Sequence, residues 1–265
     1  MKDILNYFVV VSYVLFQGVY SNQLNTPFLN DLKEVSNKES NLGIIGGEPT
    51  TIEKHPYQLS VTLPYSVLAG VILNKYWVLT TASLLTKHGK NFSLKSTQIR
   101  VGSNNTDNGG TTYTVNKTIF NPNFVSDTYS YDLALHKVNK PIKFSKTVKK
   151  VKLASKPLKN GQRGIISGWG ATSESNGNPF KQISLSGISR KHCKDVYKNK
   201  GFVIGESQVC ASAKNITEGP YFDFGDPLIV NNKLYALYSY KVFGYPNVLA
   251  DISSSLSWIE ETIKT

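Results

Sequence analysis

The chain has 265 residues, 40% of them hydrophobic and 11% aromatic, and a formal net charge of +12 at neutral pH. That is enough apolar material for a packed core, and it excludes a disordered, low-hydrophobicity chain. Most of the basic excess is lysine, with arginine only at Arg100, Arg163 and Arg190; no nucleic-acid module accompanies it, so its plain reading is a solvated surface.

Lys2, the apolar run Ile4–Phe16 and the small residue Ser21 read as a secretory signal peptide over 1–21. The run is too short to cross a bilayer, and no later stretch is long enough to do so. A buried N-terminal strand is the alternative. The product is expected to be secreted and extracellular, without a membrane partner. Residues 22–43 are polar and read as an extended pro-segment.

From Tyr57 onward, short apolar or alternating runs are separated by Asn, Gly and Ser. Strands are predicted at Tyr57–Leu63, Val67–Leu73, Trp77–Ala82, Thr111–Val115, Asp132–Val138 and Arg163–Ser167. More follow at Gln182–Ile188, Gln208–Ala211, Pro227–Val230, Lys233–Tyr240 and Val248–Ile252. Many short strands so spaced mean an all-β barrel or sandwich. Only the tail, residues 253–263, has helical spacing, at Leu256, Ile259 and Ile263, with Ser253 as its candidate cap.

Between the strands, Lys137–Lys159 is a run rich in lysine. It is either a solvated face or a docking site for an acidic partner such as a glycosaminoglycan or another polyanion. Asn91, Asn104, Asn116 and Asn215 each begin an Asn-x-Ser/Thr sequon, a possible glycosylation site in a secreted chain. Cys193 and Cys210 are the only cysteines, either a disulfide or two free thiols. Closing their loop would contribute about 3 kcal/mol. His55, His88, His136 and His192 have no metal-ligand spacing, so no metal and no cofactor is expected.

Several ordered motifs then converge. They are Ile44-Ile45-Gly46-Gly47, His55–Val61, Trp77–Leu84, Tyr131–Leu135, Ser167-Gly168-Trp169-Gly170, Tyr221–Leu228, Ser239-Tyr240-Lys241 and Tyr245–Val248. In this order they resemble the chymotrypsin/trypsin-like serine proteases, over 44–265. The resemblance implies two six-stranded antiparallel β-barrels, about 44–145 and about 146–252, and a C-terminal α-helix over 253–263. It also implies the Cys193–Cys210 disulfide.

The same resemblance exposes what has been replaced. Hydrolysis in this family needs a nucleophilic Ser, a His to take its proton and an Asp to hold the His. The His position is Ser83, which has no useful basicity near neutral pH. The nucleophile position is Phe224, which cannot attack a carbonyl. Asp132 is retained and is expected to bond Ser83 and backbone amides. Phe222 stands where a Gly shapes the oxyanion hole. Glu218, Tyr221, Phe222, Tyr240, Lys241 and Asn247 fall at positions of the substrate pocket, which they are expected to fill or shut.

Cleavage before Ile44 would, by the resemblance, free an ammonium to pair with Asp223, but Gly43 offers no basic residue to a trypsin-like activator. The loop Ser103–Thr112 has Asp107 as its only acid, so no Ca²⁺ is expected. The finer pattern, Tyr76–Thr80 and Ile188–Cys193, is similar to the group 3 allergens of mites. The set of losses is similar to the inactivated serine protease paralogues of the scabies mite, known as proteolytically inactive proteins that suppress host complement. The resemblance therefore implies a secreted pseudoprotease that binds host serum or complement proteins. A regulatory homologue in the producer's own cascade, a polyanion-binding protein and a residual hydrolase are the alternatives.

Overall fold

Alternation along the strands buries one face of each, and the strands close on themselves to cover it. The computed structural model describes residues 44–64, 66–87, 96–170, 179–221, 223–242 and 244–264. The signal peptide 1–21 and pro-segment 22–43, the sequon Asn91, and His88 and Phe222 lie outside the described residues.

A two-residue strand β1 (Glu48–Pro49) leads into the first barrel. Its strands are β2 (Gln58–Leu63), β3 (Ser66–Ile72), β4 (Trp77–Thr80), β5 (Gln98–Val101), β6 (Thr111–Phe120) and β7 (Ala134–Val138). They close antiparallel in the order β2-β3-β4-β7-β6-β5. A short β8 (Lys152–Leu153) follows on the crossing segment. The second barrel uses β9 (Arg163–Gly168), β10 (Lys181–Ile188), β11 (Gln208–Ser212), β12 (Pro227–Val230), β13 (Lys233–Tyr240) and β14 (Asn247–Asp251). Its order is β9-β10-β11-β14-β13-β12, closed by β12 pairing β9; β1 adds to β10 and β8 runs parallel to β13. Closure removes the free sheet edges that a set of short strands would otherwise present.

Apolar residues fill the interiors. Leu59, Val61, Val71, Leu79, Ile99 and Leu135 are fully buried in barrel one, and Ile166, Leu185, Leu228, Ala236 and Leu249 in barrel two. Each large one contributes about 2 kcal/mol by leaving water. Trp77, Leu73, Leu234, Leu237 and Ile259 belong to one cluster, so the C-terminal helix seals the join between barrels.

The expected fold class, two antiparallel six-stranded barrels with a C-terminal helix, is what the structure has. Local differences have physical causes. The strand expected from Asp132 starts at Ala134, because Tyr129 and Tyr131 both adopt φ 53° and Leu133 N donates back to Tyr131 O at 2.7 Å. The tail is a 3₁₀ turn, Ser253–Ser255, followed by a helix over Leu256–Thr262. Ser253 is not its cap. Asp251 takes that role: its Oδ2 accepts from Ser254 N (2.9 Å) and Ser253 Oγ (2.7 Å).

Two short helices escaped the periodicity reading. The first is α1 (Ser83–Lys87). The second, α2 (Arg190–Lys198), is so polar that only Cys193 and Tyr197, four residues apart, are buried. Ser189 Oγ caps α2 by accepting from His192 N at 3.3 Å, and the Cys193–Cys210 disulfide ties it to β11 with Cα atoms 6.3 Å apart.

Candidate functional site between the barrels

Asp132 is the centre of the site. The two left-handed residues before it, Tyr129 and Tyr131, turn the chain so that its carboxylate is completely buried. Oδ1 accepts from Ser83 N (2.6 Å) and Ala82 N (2.9 Å). Oδ2 accepts from Ser83 Oγ (2.9 Å) and Ser239 Oγ (2.5 Å). Burial raises the pKa of Asp132, and the bonds from Ser239 and Ser83 pull against that rise. The predicted bonds from Ser83 and backbone amides are present; Ser239 is an additional partner. Both hydroxyls donate to the carboxylate, and Ser83 and Ser239 are each 1% exposed. Neither hydroxyl meets solvent, and this group of residues has no imidazole.

Phe224 is 6% exposed and lies 6.2 Å from Tyr238, ring centroid to ring centroid. Its carbonyl accepts from Ala69 N (2.8 Å) on β3, while Gly225 N donates to Tyr238 O (2.9 Å) on β13. The loop therefore bridges the barrels. Gly225 holds φ +87°, and a Cβ there would overlap Ala69 O, so this corner needs glycine.

Beneath the loop lie two carboxylates. Asp223 accepts from Tyr221 N at 3.1 Å, and burial pushes its pKa up to about 7. Asp226 is 1% exposed, and burial together with the neighbouring Asp223 charge raises its pKa well above the usual value. Its Oδ1 meets only Gln58 Nε2, at 3.4 Å, and its Oδ2 has no partner. A cavity of about 10 Å³, room for roughly one water, borders both carboxylates and Trp169. Ile44 is buried and Ile45 pairs with Gly219, N to O at 3.0 Å, in the continuous chain.

The expected pocket residues separate into two groups. Lys241 Nζ donates to Glu218 O (2.6 Å) and lies 4.6 Å from the Tyr221 ring centroid. Burial lowers its pKa to about 7. The Glu218 side chain packs against Gly46. Asn247 is fully buried, with Nδ2 donating to Ala211 O at 3.0 Å. These four residues occupy one region. Tyr240 lies elsewhere, its ring 5.5 Å from Tyr129, 6.0 Å from Tyr197 and 6.1 Å from Phe202.

The loop Ser103–Thr112, with Asp107 as its only acid, is held by a cation from its own chain. Arg100 donates to Thr106 O (3.0 Å), Asp107 O (2.8 Å) and Gly109 O (2.6 Å). Of the sequons, Asn104, Asn116 and Asn215 are exposed. Asn104 Oδ1 is engaged by Ile52 N at 2.7 Å. The residues that the sequence reading missed are Asp226 and Ser239. An Asp between Gly225 and Pro227, in an otherwise apolar run, was the available signal for the first. Ser239 carries no signal apart from its position.

No helix among the described residues is long and apolar enough to cross a membrane. The trypsin family profile matches residues 44–259. A trypsin of Sarcophaga bullata is 30% identical over 235 residues, covering 83% of this chain and 89% of its own length. Hypodermin-B of Hypoderma lineatum is 29% identical, with 84% and 88% covered. Among solved structures, the scabies mite inactivated protease paralogue S-D1 superimposes with a TM-score of 0.75 at 24% identity, covering 83% of this chain and 97% of that one. Paralogue S-I1 gives 0.73 at 24%, with 83% and 99% covered. With a double barrel, a bridging loop at Asp223–Asp226 and a family match over nearly all the described residues, this chain belongs to the trypsin-like serine protease family.

Proposed function

We propose that the chain is a secreted protease homologue that does not cleave peptide bonds and acts by binding proteins, suppressing a host defence such as complement. The observation that carries this reading is the Ser83–Asp132–Ser239 cluster. A buried hydroxyl, that of Ser83, stands where hydrolysis needs a basic imidazole, and it donates together with Ser239 Oγ to Asp132. Losing a triad as a unit costs about 10⁶ in kcat. Phe224 adds the loss of a nucleophile, and Lys241 with Tyr221 fills the space where a substrate side chain would enter. Two structural neighbours are themselves described as inactivated.

The test has two arms. The full chain, uncut and cut before Ile44, is incubated with a broad peptide library and an active-site phosphonate. We expect neither turnover nor labelling; reproducible turnover would overturn the non-hydrolytic reading. Separately, the glycosylated protein at micromolar concentration is added to serum and sensitised erythrocytes. Reduced lysis is expected. Unchanged lysis would remove the complement assignment and leave the first arm standing.

A further inference from the structure

The site makes no use of a second feature, a row of lysines on the segment that crosses between barrels. From 133 to 173 the sequence contains no Asp or Glu, while Lys137–Lys159 holds nine lysines. The backbone of this segment is pinned to both barrels. Ile142 N donates to Lys75 O (2.7 Å), Lys149 N to Pro56 O (2.7 Å), Val151 N to Ile72 O (2.9 Å) and Ala154 N to Leu234 O (2.9 Å).

The same bonds bring in lysines distant in sequence. Lys75 is itself the acceptor for Ile142, Lys54 stands two residues before Pro56, and Lys233 is the register partner of Lys152 in the β8–β13 pair. Lys54, Lys75, Lys143, Lys146, Lys149, Lys150, Lys152 and Lys233 are all exposed. Among the described residues none of these eight forms an ion pair; the ion pairs are those of Arg190, Lys191 and Lys194. In sequence, Glu53 directly precedes Lys54; Asp132 and Glu174 flank the Lys143–Lys152 run, and Asp226 precedes Lys233 by seven residues; Asp132 and Asp226 are buried. Tyr76 and Phe144, 44% and 42% exposed, add apolar rings to the row.

We infer that this row, Lys143–Lys152 with Lys54, Lys75 and Lys233, is a binding surface for a linear sulfated polysaccharide. The segment turns between Ser145 and Val148, where Ser145 N donates to Val148 O at 2.9 Å, so the lysines form a field and not a single extended line. Eight separate ammoniums contributed by four segments suit the many sulfates of a polymer better than one small ion. Lysine ammoniums on flexible stems suit diffuse, repeated sulfates, whereas paired arginines would suit bidentate carboxylates or phosphates. The surface shares no residue with the cleft, so the inference is independent of whether the cleft hydrolyses anything.

Heparin is the probe, and the full chain is the protein. One variant carries Lys149→Gln, Lys150→Gln, Lys152→Gln and Lys233→Gln. A control of equal charge loss carries Lys191→Gln, Lys194→Gln, Lys198→Gln and Lys200→Gln. At physiological salt the first set is expected to weaken heparin binding by ~10³-fold and the control by about fivefold or less. Replacing the first four by Arg retains binding, because the charge is kept. Equal losses in the two sets would overturn the inference, since bulk charge would then explain retention. Duplex DNA or anionic vesicles binding as tightly as heparin, and losing affinity equally in the first variant, would overturn the assignment to a polysaccharide.

Discussion

Asp226 is the residue whose presence is hardest to reconcile with stability alone. Its Oδ2 is buried without a partner, beside a second buried carboxylate. The folded state therefore holds protons on Asp223 and Asp226 that the unfolded chain releases near pH 4. For Asp223, between there and about pH 7 the unfolded state binds fewer protons, so stability falls as pH rises, by up to about 1.4 kcal/mol per unit; Asp226, raised well above its usual value, acts in the same direction. Asp226→Asn removes one such group. Urea unfolding of the uncut chain at pH 5 and pH 8 should show the stability lost between the two conditions shrinking in the variant. An unchanged loss would show that both carboxyls are already compensated. His136 acts in the opposite direction. Burial holds its pKa near 4, so its contribution is present above about 6.5 and is lost as pH falls.

At the scale of elements, the 223–226 loop is fixed by backbone bonds to both barrels and by shape. A Cβ on Gly168 of β9 would overlap Asp226 Oδ2. Gly168→Ala should therefore cost about 3 kcal/mol or more. Asp226→Gly in the same chain should recover most of that loss, because the two changes share one space. Thermal melts of the two single variants and the double variant decide it; additive effects would show that the two positions do not meet. Helix α2 depends on its staple to a similar degree. It buries only Cys193 and Tyr197, so replacing both cysteines by Ser should lower stability by about 3 kcal/mol, measured by the denaturation midpoint, and should expose α2 first to hydrogen exchange.

For the whole molecule, restoring two side chains should not restore an enzyme. Ser83→His with Phe224→Ser supplies a base and a nucleophile, but Lys241 still lies against Tyr221 and Glu218 O. We expect no hydrolysis of a peptide library by the double variant. Turnover would show that the pocket opens readily and that Lys241 is no plug. The charge distribution gives the molecule two unlike regions: a cleft with buried acids, and a crossing segment rich in exposed lysines.

How much of this was legible follows from the range of each force. Apolar alternation is local, so most strands were readable from Gln58 onward, and ordered motifs gave closure into two barrels. Helix α2 was not readable, because its burial comes from one disulfide and one Tyr and not from a repeating face. Ser83 and Phe224 could be read as side chains without the needed chemistry, since basicity and nucleophilicity belong to the residue itself. What burial and neighbours decide could not be read: Ser239 as a second donor to Asp132, Asp226 as a partnerless acid beside Asp223, Tyr240 turned into the Tyr129–Tyr197–Phe202 cluster, and Lys75 and Lys233 joined to the Lys143–Lys152 row. Residue chemistry and local alternation set what each position can supply and which strand faces pair. Which groups meet is a property of the folded molecule, because desolvation and charge coupling act between residues that the chain keeps far apart.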